Sequence, residues 1–253
     1  MSWRESVLTP GLTVRDSPLD GERFGVGVTR VTVSATSTAG LEEVLAVARD
    51  STADVVVLRY PAGNVTWFAG LRAVPGRAAI FADTLTYWRL RVGGGRRPAP
   101  SEEIAVVAEP DPDMVADLMA TGFAGYANHY AANPLFDPAL SAVAYPDWAC
   151  RSAKSGHAIA VHDGRGPLGA ITWERDDDRV ELLLAAVAPA ARGRAVYPRL
   201  IAAVEDRASE LGADFLVSPT QGHNIAGQRA WARYGFEPAH PLATVHLVRS
   251  ELL

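Results

Sequence analysis

The chain of 253 residues contains one cysteine, Cys150. It can form no internal disulfide, and no cysteine cluster exists to hold zinc. It lies in Asp147-Trp148-Ala149-Cys150-Arg151, within an expected helix and without an activating neighbour, so it reads as a small packing residue. Positive charge is also scarce: 24 Lys+Arg stand against 29 Asp+Glu, for a net charge of −5 and a sequence pI near 5.7. A diffuse basic surface for nucleic acid is therefore excluded, although a local cationic pocket is not. No apolar run approaches the roughly 20 residues that span a bilayer, so no membrane association is expected. The start, Met1-Ser2-Trp3-Arg4-Glu5, lacks the basic and apolar regions of a secretory signal. A cytoplasmic location is the expectation. His157, His162, His240 and His246 are scattered over strands and ends with no metal-ligand spacing, so no metal is expected.

What is present is an ordinary globular composition. Apolar residues at 48% against 21% charged are enough to bury a core, which argues against disorder. Val31 to Val33 alternates as a strand, and residues 38–50 place Leu41, Val44, Leu45 and Ala48 on one helical face, with Thr38 as an expected N-cap. Residues 54–60 read as a buried strand, 65–73 as a short helix and 82–92 as another strand. Gly93-Gly94-Gly95-Arg96-Arg97-Pro98-Ala99-Pro100 is the clearest linker. The expected division is 1–97, a smaller α/β half, and 98–253.

The second half reads as a strand at 103–108, a helix from Pro110 towards Thr121, a structured loop from Gly122 to Pro138 and a helix over 141–152. Strands follow at 157–162, 168–174 and 179–188, then a helix at 197–211, a strand at 214–218, a helix at 224–234 and a strand at 243–248. No short-period repeat is visible.

Two segments carry chemistry. Val187-Ala188-Pro189-Ala190-Ala191-Arg192-Gly193-Arg194-Ala195 leaves a strand and opens a helix. Backbone N–H groups at such a junction lack intrahelical partners, and the helix dipole adds positive charge, which suits a pyrophosphate. Small Gly193 and Ala195 leave the backbone approachable, and Arg192 and Arg194 add charge at the rim. An ordinary glycine turn with two solvated arginines is the alternative. About thirty residues on comes Asn224-Ile225-Ala226-Gly227-Gln228-Arg229-Ala230-Trp231-Ala232-Arg233-Tyr234-Gly235-Phe236.

Together these segments resemble the GNAT superfamily of N-acetyltransferases. Its pyrophosphate loop reads Gln/Arg-x-x-Gly-x-Gly/Ala after a Val-x-Pro, and its later helix reads Asn-x-x-Ala-x-x-Leu-Tyr-x-x-x-Gly-Phe. Pro189, Gly193, Ala195, Asn224, Gly235 and Phe236 fall in register. The resemblance implies an α/β (α+β) fold with a mixed, mostly antiparallel sheet flanked by helices. It also implies a central pair of strands that splays, with acetyl-CoA, or another acyl-CoA, lying along Leu184 to Val187. The first half would be a truncated, degenerate copy. Cofactor contacts then fall to Val187, Arg192, Gly193, Arg194, Ala195 and Asn224. Ala190 departs from the usual Gln or Arg and removes one side-chain contact. Trp231 stands where many members carry the tyrosine that protonates the CoA thiolate, and an indole N–H cannot serve as an acid. That role is absent, taken by water or moved; Tyr234 and Tyr197 are the candidates, with Trp231 walling the acyl pocket and Tyr234 open to a packing role.

Thr220-Gln221, the loop His129 to Pro138, Tyr145 and Trp148, and Asp83-Thr84-Leu85 resemble the TDP-fucosamine acetyltransferase group. This implies an acceptor amine on a nucleotide-linked amino-sugar, a loop closing over it with His129, Tyr130 and Phe136, a contact from Gln221, and a possible homodimer. An imidazole near the amine can accept its proton, though His129 can equally bond to backbone. Glu181, on the splayed strand, is a base acting through water or a surface residue. Two alternatives stay open: another small amine as acceptor (antibiotic, amino acid or polyamine), and a non-catalytic acyl-CoA-binding module.

Overall fold

A computed structural model describes residues 2–253. Ten strands form one sheet in the order β1-β2-β3-β10-β4-β9-β8-β7-β6-β5. They are β1 Leu12–Asp16, β2 Val28–Val33, β3 Val55–Pro61, β4 Arg77–Arg91, β5 Ala105–Val107, β6 Ala158–Asp163, β7 Gly166–Asp176, β8 Arg179–Val187, β9 Phe215–Gln221 and β10 Glu237–Arg249. The helices are α1 Pro18–Phe24, α2 Leu41–Asp50, α3 Trp67–Leu71, α4 Pro112–Gly122, α5 Pro138–Ala142, α6 Ala144–Lys154, α7 Val196–Glu210 and α8 Ile225–Tyr234. All pairings are antiparallel except β2 with β3 and β8 with β9.

The sheet contains a long-range repeat. The units β3-α3-β4 and β9-α8-β10 have the same order, each follows a parallel pair, and each gives its last strand to the other: β10 lies between β3 and β4, and β4 between β10 and β9. Asn64 precedes α3 by three residues, and Asn224 caps α8 directly. Leu71 and Trp231, each seven residues later, are both buried, as are Val74 and Tyr234. The two halves are thus interlocked by exchanged strands. Trp231 and Tyr234 form a one-turn stripe of α8, Leu71 ends α3 with Val74 just beyond it, and each pair is buried in its own core cluster.

The segment after β4 is held rather than loose. Glu205 of α7, 1% exposed, accepts from the N–H groups of Gly93 (2.8 Å) and Gly95 (3.1 Å) and from the Tyr234 hydroxyl (2.6 Å). A Cβ at Gly95 would stand 2.3 Å from Glu205 Oε2, so only glycine admits this approach. Truncating Glu205 to alanine leaves three donors without their acceptor, and chemical denaturation is expected to show a loss of about 3 kcal/mol.

Several local expectations change. α2 begins at Leu41, capped by Gly40 whose N–H reaches Glu43 Oε1 (2.9 Å), so Thr38 is not the cap. The single helix expected at 141–152 is two, broken at Val143. β1 and α1 were not legible: β1 is an edge strand with three of its five residues exposed, so its burial leaves no alternating apolar pattern. The strand expected at 243–248 runs from Glu237, because its first residues pair with β4 through a bulge.

Candidate active site

β8 and β9 are hydrogen-bonded side by side only from Arg179/Phe215 to Glu181/Val217 and then diverge. A β-bulge in β8 follows: Trp173 of β7 faces Leu182, but Ile171 faces Ala185. The bulge reverses the alternation, which is why period-two reading could not assign a face to Glu181. Beyond the fork β8 has no strand partner on its β9 side; Leu182 O accepts the Ser218 hydroxyl (3.1 Å), and Leu183 to Val187 leave backbone groups for an extended ligand.

A cavity of about 770 Å³ fills the fork, within the range of small-molecule sites. β8 contributes Leu182 to Ala185, β9 Ser218 to Gln221, α7 Tyr197, and α8 Gly227 and Trp231. The roof comes from α4, the loop after it, and α6. Phe123 stacks on Tyr145 at 4.2 Å, and Tyr126 packs edge-on to both. The first half supplies the remaining wall with Ser17, Leu19, Asp20, Arg23, Arg30 and Arg59. Sequence reasoning missed this wall, because α1 and β1 carry no pattern and the arginines lie far from the motifs.

At the head of α7, Gly193 and Ala195 both adopt left-handed backbone (φ +80° and +54°). A non-glycine residue in that region is strained, and such strain marks a turn held for a purpose. Arg192 and Arg194 are exposed there, and Arg194 pairs with Asp163 at 2.8 Å. Val187 ends β8 just before this turn. The splayed edge and the turn fit an extended ligand ending in a pyrophosphate: strand-like backbone along β8, exposed N–H groups at a helix start. Asn224 caps α8, accepting from Gly227 N–H (3.1 Å) and donating to Thr220 Oγ1 (2.8 Å). It lines the cavity as well.

Trp231, 4% exposed, lines the cavity, and its indole N–H donates to the Tyr197 hydroxyl at 2.7 Å. Because that oxygen accepts from Trp231, its own hydrogen remains available to the fork. Burial pushes the Tyr197 hydroxyl up to about 12, the Trp231 bond acting in the opposite direction. Tyr234 does not line the cavity: it is buried with its hydroxyl on Glu205, so its position does not suit an acid for the ligand. Phe136 likewise stays out of the cavity, packed against Phe24, Tyr130 and His246.

Glu181 is 3% exposed, not a surface residue. Its Oε2 accepts the Trp3 N–H at 2.8 Å, while Oε1 is buried with no hydrogen-bond partner. Burial raises it to about 7, although the Trp3 bond pulls the other way. It sits at the closed end of the fork, one residue from the cavity-lining Leu182.

His129 lines the cavity and is buried, with Nδ1 2.9 Å from His246 Nε2. The Leu135 N–H donates to Asn133 Oδ1, which turns the Asn133 amide nitrogen towards His246 Nδ1 (3.3 Å). His246 therefore accepts at Nδ1 and donates from Nε2 to His129 Nδ1, which leaves the hydrogen of neutral His129 on Nε2; the tautomers are inferred from this chain of partners. Burial, then Arg59, His246 and Arg30, lower His129 well below its usual value, and burial with the same arginines takes His246 to about 3. His129 is thus a neutral N–H donor and a poor base. Tyr130 donates to Asp20 Oδ1 (2.8 Å) and accepts from Arg30, and Gln221 accepts from the Tyr126 hydroxyl. Among the described residues no cluster of metal-ligating side chains occurs and no helix is long and apolar enough to cross a membrane.

Residues 124–236 match the profile of the Acetyltransferase (GNAT) family. Solved structures share the fold at low identity. A GCN5-related N-acetyltransferase from Sphaerobacter thermophilus aligns with TM-score 0.62 and 10% identity, covering 93% of this chain and 76% of its own. A GCN5-related N-acetyltransferase from Kribbella flavida aligns at 0.55 and 12%, covering 88% and 81%. A tandem GNAT protein from the clavulanic acid biosynthesis pathway aligns at 0.53 and 11%, covering 87% and 77%. No curated protein matches the sequence significantly. The fold is the mixed α/β GNAT fold.

Proposed function

We propose that this GNAT-domain protein is an acyl-CoA-dependent N-acyltransferase that moves an acetyl group from acetyl-CoA to the primary amine of a nucleotide-linked amino-sugar. The observation that carries the chemistry is the fork: parallel strands that part after Glu181/Val217, an unpaired edge on β8, and a left-handed turn at the start of α7. Acetyl-CoA, when bound, supplies a thioester acyl group and needs no metal.

The turn at Arg192 to Ala195 would hold the pyrophosphate, and the edge of β8 up to Val187 the pantetheine. Asn224 at the α8 N-terminus lines the side of the fork. Tyr197, with its hydroxyl set by the Trp231 N–H, is placed to donate to the departing sulfur. With a value near 12 against about 8.5 for a thiol, it does so as a hydrogen-bond donor more than by full proton transfer. Glu181, buried at the closed end of the fork behind the cavity-lining Leu182 and raised by burial to about 7, is the base this reading assigns to the amine proton, reached through water. His129 offers its Nε2–H to an oxygen of the acceptor, and Gln221 and Tyr130, which line the same cavity, help to position it.

Free-thiol release from acetyl-CoA, followed over a panel of amines, tests this. Release that depends on a TDP-linked amino-sugar is the expected outcome. Release with an antibiotic, amino acid or polyamine instead moves the acceptor. Silence across the panel despite measurable acetyl-CoA binding overturns the enzymatic reading.

A further inference from the structure

The end of the cavity formed by the first half collects positive charge in a chain whose net charge is −5. Arg23, Arg30 and Arg59 line it there, and Arg151 of α6 lines the same cavity; Asp20 is the one acidic lining residue. Asp20 is already engaged. It is 3% exposed, takes the guanidinium of Arg30 at 2.5 Å, and accepts from Ser17 (2.6 Å) and Tyr130 (2.8 Å). Burial acts to raise its carboxyl, but Arg30, Ser17 and Tyr130 outweigh that and hold it below the usual value.

Arg23 reaches Asp20 only at 3.9 Å, the outer limit of an ion pair. Arg59 donates to Thr244 Oγ1 (3.1 Å) and feels the charge of Asp83, which is paired with Thr244 across β4 and β10. Among the residues that line the cavity, the guanidinium groups of Arg23, Arg30, Arg59 and Arg151 stand with the single carboxylate of Asp20. The same arginines act on the neighbouring histidines: burial, then Arg59, His246 and Arg30, lower His129, and burial, Arg59 and Arg30 lower His246 against Asp20.

Guanidinium groups present planar donor forks that match phosphate and carboxylate oxygens, and a low-dielectric wall strengthens the attraction. We infer that the anionic group of the acceptor, the phosphates of a nucleotide link or the carboxylate of another amine, is seated against the arginine wall of the first half while its amine faces the fork. The wall thereby selects acceptors by charge and fixes the distance between anion and amine. This rests on the acyltransferase reading for the amine, but the anion site is measurable without turnover.

Calorimetric titration of the full chain with CoA alone reports first on the fork, independently of the wall. With CoA saturating, so that the α7 turn is occupied, inorganic pyrophosphate and succinate are then titrated separately. One of them is expected to bind, and its identity separates a phosphate-bearing from a carboxylate-bearing acceptor. Arg23→Glu and Arg151→Glu lie at partly exposed and exposed positions, where the fold tolerates change. Together they are expected to weaken that binding at least about tenfold without altering CoA affinity. Failure of both probes to bind, or binding that both substitutions leave unchanged, overturns the inference.

Discussion

Replacing Tyr197 by phenylalanine is expected to lower kcat for thiol release by between about ten- and a hundredfold, with the dissociation constant of acetyl-CoA nearly unchanged. The lost interaction is one hydrogen bond to developing negative charge, about 1.5–3 kcal/mol. The donor role follows from the 2.7 Å bond by which Trp231 occupies the phenol oxygen. Trp231→Phe should cost less, because it frees the hydroxyl to rotate but leaves it present. Moving the hydroxyl across the fork, with Tyr197→Phe and Trp231→Tyr combined, should restore part of the rate, since both positions line the cavity. A merely structural role for Tyr197 predicts no such recovery. A kcat for Tyr197→Phe within threefold of the parent would assign the donor elsewhere.

Glu181→Gln is expected to make the protein more stable and less active at pH 8. A carboxyl raised from about 4.5 to about 7 in the folded state favours the protonated form. Its penalty is absent below pH 4.5, grows as pH rises towards 7 and is complete above it. The full difference is about 3 kcal/mol. Glutamine stays neutral and can keep the Trp3 N–H on its carbonyl oxygen. Denaturation at pH 8 should therefore show the variant about 3 kcal/mol more stable than the parent, and at pH 4 the two should coincide. If Glu181 also takes the amine proton, kcat at pH 8 falls about a hundredfold. Greater stability with full activity would leave Glu181 as a structural acid under Trp3 and send the proton elsewhere. Equal stability at both pH values would show that the carboxyl ionises normally.

The motif residues were legible because each depends on local geometry. Gly193, Ala195 and Asn224 mark a turn and a helix start, and both lie where the spacing put them. The repeat of Asn64-Leu71-Val74 in Asn224-Trp231-Tyr234 was also written in the sequence, but at a separation of 160 residues, about three-fifths of the chain, and with different side chains at each buried position, so a search for short periods passed over it.

By itself, then, the sequence determined the order of strands and helices from 157 onward, the position of the fork's turn and the absence of a tyrosine at 231. Only the tertiary structure decided what these residues meet. Strand exchange carries the first half into the same sheet and sets Arg23, Arg30 and Arg59 along the cavity. A bulge in β8 turns the alternation over and leaves Glu181 buried at the closed end of the fork. The packing of α7 against α8 puts Tyr197 on Trp231 and Tyr234 on Glu205, and so divides two similar tyrosines between the cavity and the core. The physical reason is common to all three. Local pattern reports a residue's preference for water or core, but which partner it finds there depends on contacts between segments far apart in the chain, and those exist only once the sheet has closed around them.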